Sequence, residues 1–89
     1  MLDIAVHKQF TKDLQKAKLN PTNSAKLFAY ISLIIEEKEL PSLARDHNLS
    51  GEYSDTREFH ISGDLLVIYR IENNTLELLR IGTHSQLFK

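Results

Sequence analysis

Between Arg57 and Ile81 the chain packs three β-prone runs against two tight joins: REFHI (57–61), LLVIYRI (65–71) and TLELLRI (75–81). The joins, Gly63-Asp64 and Asn73-Asn74, are residue pairs that tolerate positive φ and close two-residue hairpins. With so little chain between them the runs must pair antiparallel, because a parallel return needs a crossover of roughly a dozen residues or more. LLVIYRI is apolar on both faces and is predicted as the central strand. Such a meander needs cover for at least one face, and the preceding residues supply it.

LDIAV (2–6) reads as a short strand. HKQFTKDLQKAK follows, with Phe10, Leu14 and Ala17 spaced i, i+4, i+7 along one helical face and the lysines elsewhere. Asn20-Pro21 restarts the chain as an N-cap with proline at the first helical position. A second helix is predicted through Leu27, Ile31, Ile34 and Ile35 to Leu40, where Pro41 forces the preceding residue out of the α region. Pro41 to about Asp55 is polar and turn-rich. The predicted fold is α+β, in the order β-α-α-β-β-β, with the helix pair packed on one face of an antiparallel meander.

Hairpin arithmetic assigns the faces. Two-residue turns pair His60 with Val67, Phe59 with Ile68, Tyr69 with Leu78 and Val67 with Arg80, and opposed residues share a face. Phe59, Ile61, Leu66, Ile68, Leu79 and Ile81 then lie under the helices. Glu58, His60, Val67, Tyr69, Leu78 and Arg80 take the open face. The row His60–Val67–Arg80 crosses three strands, and continuing the alternation brings His84 to the rim of the same face. Tyr69, Leu76, Leu78 and Ile71 would leave an apolar patch there, of the kind that marks a partner.

At 89 residues the chain is predicted to be one domain, residues 1–89, large enough for a core without staples. It has no cysteine, which excludes disulfides and thiolate metal sites and suits a reducing cytosol. No apolar run approaches the roughly 20 residues of a membrane span, and no signal peptide is visible, so a soluble cytoplasmic protein is expected. The net charge of −1 conceals an asymmetry: residues 1–30 carry five lysines against two aspartates. Nucleic-acid binding would therefore rest on a local basic patch, from Lys8, Lys12, Lys16, Lys18 and Lys26, and not on overall charge.

Singly, each histidine here reads as a tolerated polar residue. His60, His84 and Arg80 on one face, with His47 and Asp64 in adjoining loops, form a set suited to proton transfer at a phosphate. Histidine titrates near pH 6.5 when unperturbed and serves as acid or base, and arginine offers a planar fork to phosphate oxygens. His47, His60, Asp64 and His84 also hold nitrogen and oxygen donors for zinc, but their scattered spacing lacks the local pattern of zinc sites. No metal or cofactor is predicted.

The segment RDHNLSGEYSDTREFHISGDLLVIYRIENNTLELLRIGTHSQLFK resembles the C-terminal half of YafQ-type toxins of the RelE/ParE superfamily. The resemblance rests on DH-x-L-x-G at 46–51, R-x-x-H at 57–60, the aspartate turn before a strand ending in YR, and R-x-G-T-H-x-x-LF at 80–88. It implies a ribosome-dependent endoribonuclease acting on mRNA and silenced by a cognate antitoxin, with a toxin–antitoxin heterotetramer as one resting form. It assigns functional roles to His47, His60, Asp64, His84 and Phe88. On this reading His84 is the general acid, His60 or Asp64 the base, and His47 a phosphate contact or second proton carrier. Arg80 grips the phosphate, and Phe88 stacks on a base or plugs the terminus. The family often has an aromatic residue after the turn aspartate, where this chain has Leu65. ParE-type relatives that act without a histidine site supply the alternative, a non-enzymatic binding module.

Overall fold

The computed structural model describes residues 1–51 and 55–88, so residues 52–54 of the predicted loop lie outside the described residues. Strand β1 (Asp3–Val6) leads into helix α1 (Lys8–Ala17) and helix α2 (Pro21–Ile35). A 3-10 turn (Ser42–Ala44) and the two-residue strand β2 (His47–Asn48) follow. The meander is β3 (Arg57–Ser62), β4 (Leu65–Glu72) and β5 (Thr75–Thr83), and a one-turn helix α3 (His84–Leu87) ends it. The five strands run in the order β1-β5-β4-β3-β2, with β1 parallel to β5 and the rest antiparallel. The mixed α+β architecture is thus the predicted one, with β2 and α3 as additions.

The second helix stops at Ile35, five residues before Leu40, where Glu36 N–H bonds back to Ser32 O and Ile34 O and Glu37 turns to φ 60. Its start is as predicted: Asn20 accepts from Asn23 N at 2.7 Å, with Pro21 at the first position. His7 stands at the N-cap position of α1, its ring turned away from the helix to bind Glu77 at 2.8 Å. Arg70 first and then His7 hold the Glu77 carboxyl down at about 2.

The face assignment departs from hairpin arithmetic because each outer strand carries one extra residue. In β3 the register shifts between His60 and Ser62, making Ile61 a bulge, so His60 pairs with Leu66 and Phe59 with Val67. In β5 Leu79 is the extra residue: Tyr69 pairs with Leu78 as expected, but Ile68 pairs with Arg80 and Leu66 with Gly82. A bulge places two residues against one and changes the alternation beyond it. The faces of β4 are consequently the reverse of those predicted.

Val67, Tyr69, Leu76 and Leu78 therefore pack under the helices with Phe10, Leu27, Tyr30, Ile34, Phe59, Ile61 and Ile81. Leu66, Ile68 and Leu79 point the other way. The apolar patch expected on the open face is thus core, with Ile71 alone of its four members exposed.

The open face is not bare. Leu87 of α3 is buried on Leu66 and Ile68, with Leu49, Leu79 and Phe88 packed around them. This second core ties down the terminus. A Cβ on Gly82 would lie 2.9 Å from Gln86 Oε1 and 3.4 Å from Leu87 Cδ2, so α3 sits directly on the strand. Thr83 and Gln86 form a capping box, with Thr83 N–H donating to Gln86 Oε1 at 2.9 Å.

Beyond Leu78, where β1 ends, the edge of β5 is covered by α1. Asp13 is 9% exposed, accepts the Ile81 N–H at 3.2 Å, and binds Arg80 Nε at 2.7 Å. Burial alone would raise the Asp13 carboxyl, but hydrogen bonds from Arg80, Gln9 and Ile81 outweigh it and hold it below the usual range.

Two stability predictions follow from these contacts. Leu87→Ala should cost about 2–3 kcal/mol in urea unfolding, from lost burial and the cavity it leaves. Asp13→Asn should cost about 2 kcal/mol at pH 7, between the values for exposed and buried pairs. Because the folded Asp13 carboxyl is depressed, the wild type's advantage is full above about pH 4 and fades as pH falls further. An advantage that did not shrink as the pH fell below about 4 would contradict this account of Asp13.

Candidate active site

The site is built around a carboxylate that sequence parity placed on the open face but that reads as an ordinary surface residue. Glu58 is 3% exposed, and its Oε2 lies 3.3 Å from His47 Nε2 and 3.5 Å from His60 Nε2. The two imidazoles are stacked, with centroids 6.3 Å apart and planes at 19°. Glu58 Oε1 and His60 Nδ1 are buried and have no hydrogen-bond partner among the described residues. Unpaired buried polar atoms are costly, and they occur where a site waits for a ligand or a proton. The pattern that could have revealed Glu58 is its i, i+2 spacing to His60 on a strand.

His47 is brought to this cluster by an anchored loop. Tyr69 donates its hydroxyl to Asp46 at 2.5 Å, and Arg57 Nε binds Asp46 at 3.1 Å and the Tyr69 oxygen at 3.2 Å. Burial, then the Asp46 bond, pushes the Tyr69 hydroxyl well above its ordinary value, so it stays a donor. Arg57 Nη1 also donates to Asn48 Oδ1 at 2.8 Å, fixing the strand pair in which His47 faces Glu58. The His47 Nδ1–H donates to Arg45 O at 2.5 Å, since a carbonyl can only accept. That bond turns Nε2 toward Glu58.

His84 opens α3, exposed, its ring edge-on to Phe88 with centroids 4.8 Å apart. Among the described residues its ring nitrogens make no hydrogen bond, so both are open to a substrate. Leu65 pairs with Thr83, and Asp64 and His84 directly flank that pair, at the same end of the sheet. Asp64 is exposed, and no described residue bonds its carboxylate. One ladder step inward, His60, Leu66 and Gly82 form a row across three strands.

The structure therefore gathers the predicted residues into two adjoining groups. His47 and His60 share Glu58; His84, Phe88 and Asp64 sit where β5 turns into α3. The row His60–Val67–Arg80 does not form, because the two bulges put Arg80 opposite Ile68 and next to Asp13. Arg80 Nε and Nη2 bind that carboxylate at 2.7 and 3.3 Å. Among the described residues no group of three or more histidine, aspartate or glutamate side chains is arranged to hold a metal ion.

Known proteins are similar to this chain over all or nearly all of their length. The mRNA interferase toxin YafQ of Escherichia coli K12 is 32% identical over 97% of this chain and 95% of its own. A copper-bound variant toxin from Helicobacter pylori superposes with a TM-score of 0.91 at 35% identity, covering 99% of this chain and all of that one. The E. coli DinJ–YafQ complex contains a chain matched with a TM-score of 0.87 at 31% identity, with both chains fully covered. Residues 2–89 match the family described as the bacterial toxin of type II toxin–antitoxin systems, YafQ. This chain belongs to the YafQ family of bacterial type II toxin–antitoxin toxins.

Proposed function

We propose that the chain is an endoribonuclease that cuts mRNA on the ribosome without a metal, in the cytoplasm, and is held inactive by a cognate antitoxin. The observation that carries this reading is His84: an exposed imidazole with both nitrogens open, beside an equally open Asp64. The E. coli relative's name, mRNA interferase, and its solution in complex with DinJ support the substrate and the partner. No described helix is long and apolar enough to cross a membrane, which accords with that location. A toxin–antitoxin heterotetramer is the proposed resting assembly.

In the proposed reaction the ribose 2′-oxygen attacks the adjacent phosphorus and loses its proton, while the 5′-oxygen departs and gains one. Of the two candidates for the base, Asp64 has its carboxylate open. His60 is only 13% exposed, with Nε2 on Glu58 and Nδ1 buried. His84 donates to the departing oxygen, a role suited to imidazole near neutral pH. The His47–Glu58–His60 cluster borders the phosphate, with His47 as its contact or as a second proton carrier. Phe88, edge-on to His84, fixes that ring and offers a face for a splayed base.

Expressed without antitoxin, the wild type should arrest growth and create new 5′ ends within coding regions, whereas His84→Ala should do neither. Asp64→Asn should lower cleavage in a translating extract by about 10²–10⁴-fold, the usual worth of a positioned acid or base. Equal toxicity of wild type and His84→Ala would refute the assignment. A zinc- and copper-selective chelator that spares magnesium should leave the rate unchanged; loss of cleavage would show that a bound metal takes part.

A further inference from the structure

Three of the four arginines are tied to carboxylates: Arg57 to Asp46, Arg70 to Glu77 and Asp55, and Arg80 to Asp13. Among the described residues Arg45 has no such partner. It closes the 3-10 turn in the left-handed region, at φ 50, with its side chain exposed. From there it lines a groove of about 570 Å³ together with Lys26, Leu43 and His60. That volume lies within the roughly 300–1,000 Å³ typical of small-ligand sites. Among the described residues no carboxylate lines the groove. Lys26 donates one hydrogen bond to Ile61 O at 3.3 Å, which holds its ammonium at the rim with two protons to spare.

We infer that this groove is an RNA subsite, holding the nucleotide next to the scissile phosphate with Arg45 and Lys26 on its phosphate and Leu43 against its base. The inference rests on the nuclease reading above and extends it to Arg45 and Leu43, which neither the motifs nor the chemistry had singled out. His60 is shared: one side meets Glu58, the other forms the groove wall, so a strand leaving the imidazole cluster enters a cationic channel without crossing other surface. Leu43 is 72% exposed and supplies an apolar surface that a nucleobase can cover. The groove also accounts for phosphate binding in a chain whose Arg80 is engaged by Asp13. It is the Arg45 carbonyl, not its guanidinium, that holds His47, so changing the side chain leaves the imidazole cluster in place.

The test is binding of a single-stranded RNA decamer, 2′-O-methylated so that it cannot be cut, across a salt series. Arg45→Gln should weaken binding about 10-fold and lower the salt slope by about one, as loss of one phosphate contact does. Lys26→Gln should behave similarly, and Arg45→Lys should recover part of the loss. Lys38→Gln removes the same charge away from the groove and should change little. Wild-type affinity in Arg45→Gln, an equal loss in Lys38→Gln, or no binding by the wild type would each overturn the inference. So would an acidic peptide that depended on Arg45 as strongly as the RNA does, since the groove would then belong to a protein partner. Cleavage of mRNA in a translating extract is scored separately: its absence would sink the nuclease reading while the binding result stood.

Discussion

Two inserted residues, Ile61 in β3 and Leu79 in β5, determine what every other side chain of the sheet can do. Without them Leu66 and Ile68 would face the helices and Tyr69 would face outward. With them, Tyr69 enters the main core and its hydroxyl reaches Asp46 at the core's edge. That bond fixes the loop carrying His47. The same bulges leave His60 and Glu58 on the outer face and carry Arg80 to Asp13. Core packing and site geometry are thus one problem, solved by the register.

The outer face divides into a dry half and a polar half. Leu87 closes the dry half on Leu66 and Ile68, and the bare Cα of Gly82 leaves room for the Gln86 amide that caps α3. Docking of α3 is what fixes the position of His84, because a frayed segment could not hold an imidazole at the end of the sheet where Asp64 lies. The polar half keeps an acid buried between two imidazoles, an arrangement that costs stability where its polar atoms lack partners. The cations follow a similar division: Arg57, Arg70 and Arg80 brace elements of the fold, while Arg45 and Lys26 line an open groove.

Much of this was legible in the sequence. Asn20-Pro21 marked a helix start, the two joins marked a meander, and the spacing of Arg80, His84 and Phe88 carried the family resemblance. The bulges were not legible, because an extra residue inside a strand leaves the turn signals unchanged and shows only in which side chains bury. LLVIYRI hid the error further: a strand apolar on both faces satisfies either register. Strand β2 is two residues long and carries no period at all. Glu58 and Asp13 escaped notice for a common reason: an acid reads as surface until its partners, far away in the chain, are known.

The central claim is that the chain's own acid and base direct a ribose 2′-oxygen onto the neighbouring phosphorus. The most direct measurement is the chemistry of the cut ends, read by mass spectrometry on mRNA fragments made by the wild type. This account predicts a 5′-hydroxyl on one fragment and a 2′,3′-cyclic phosphate, or the 3′-phosphate left by its hydrolysis, on the other. Fragments bearing 5′-phosphate and 3′-hydroxyl would mean that water is the nucleophile, and would contradict it.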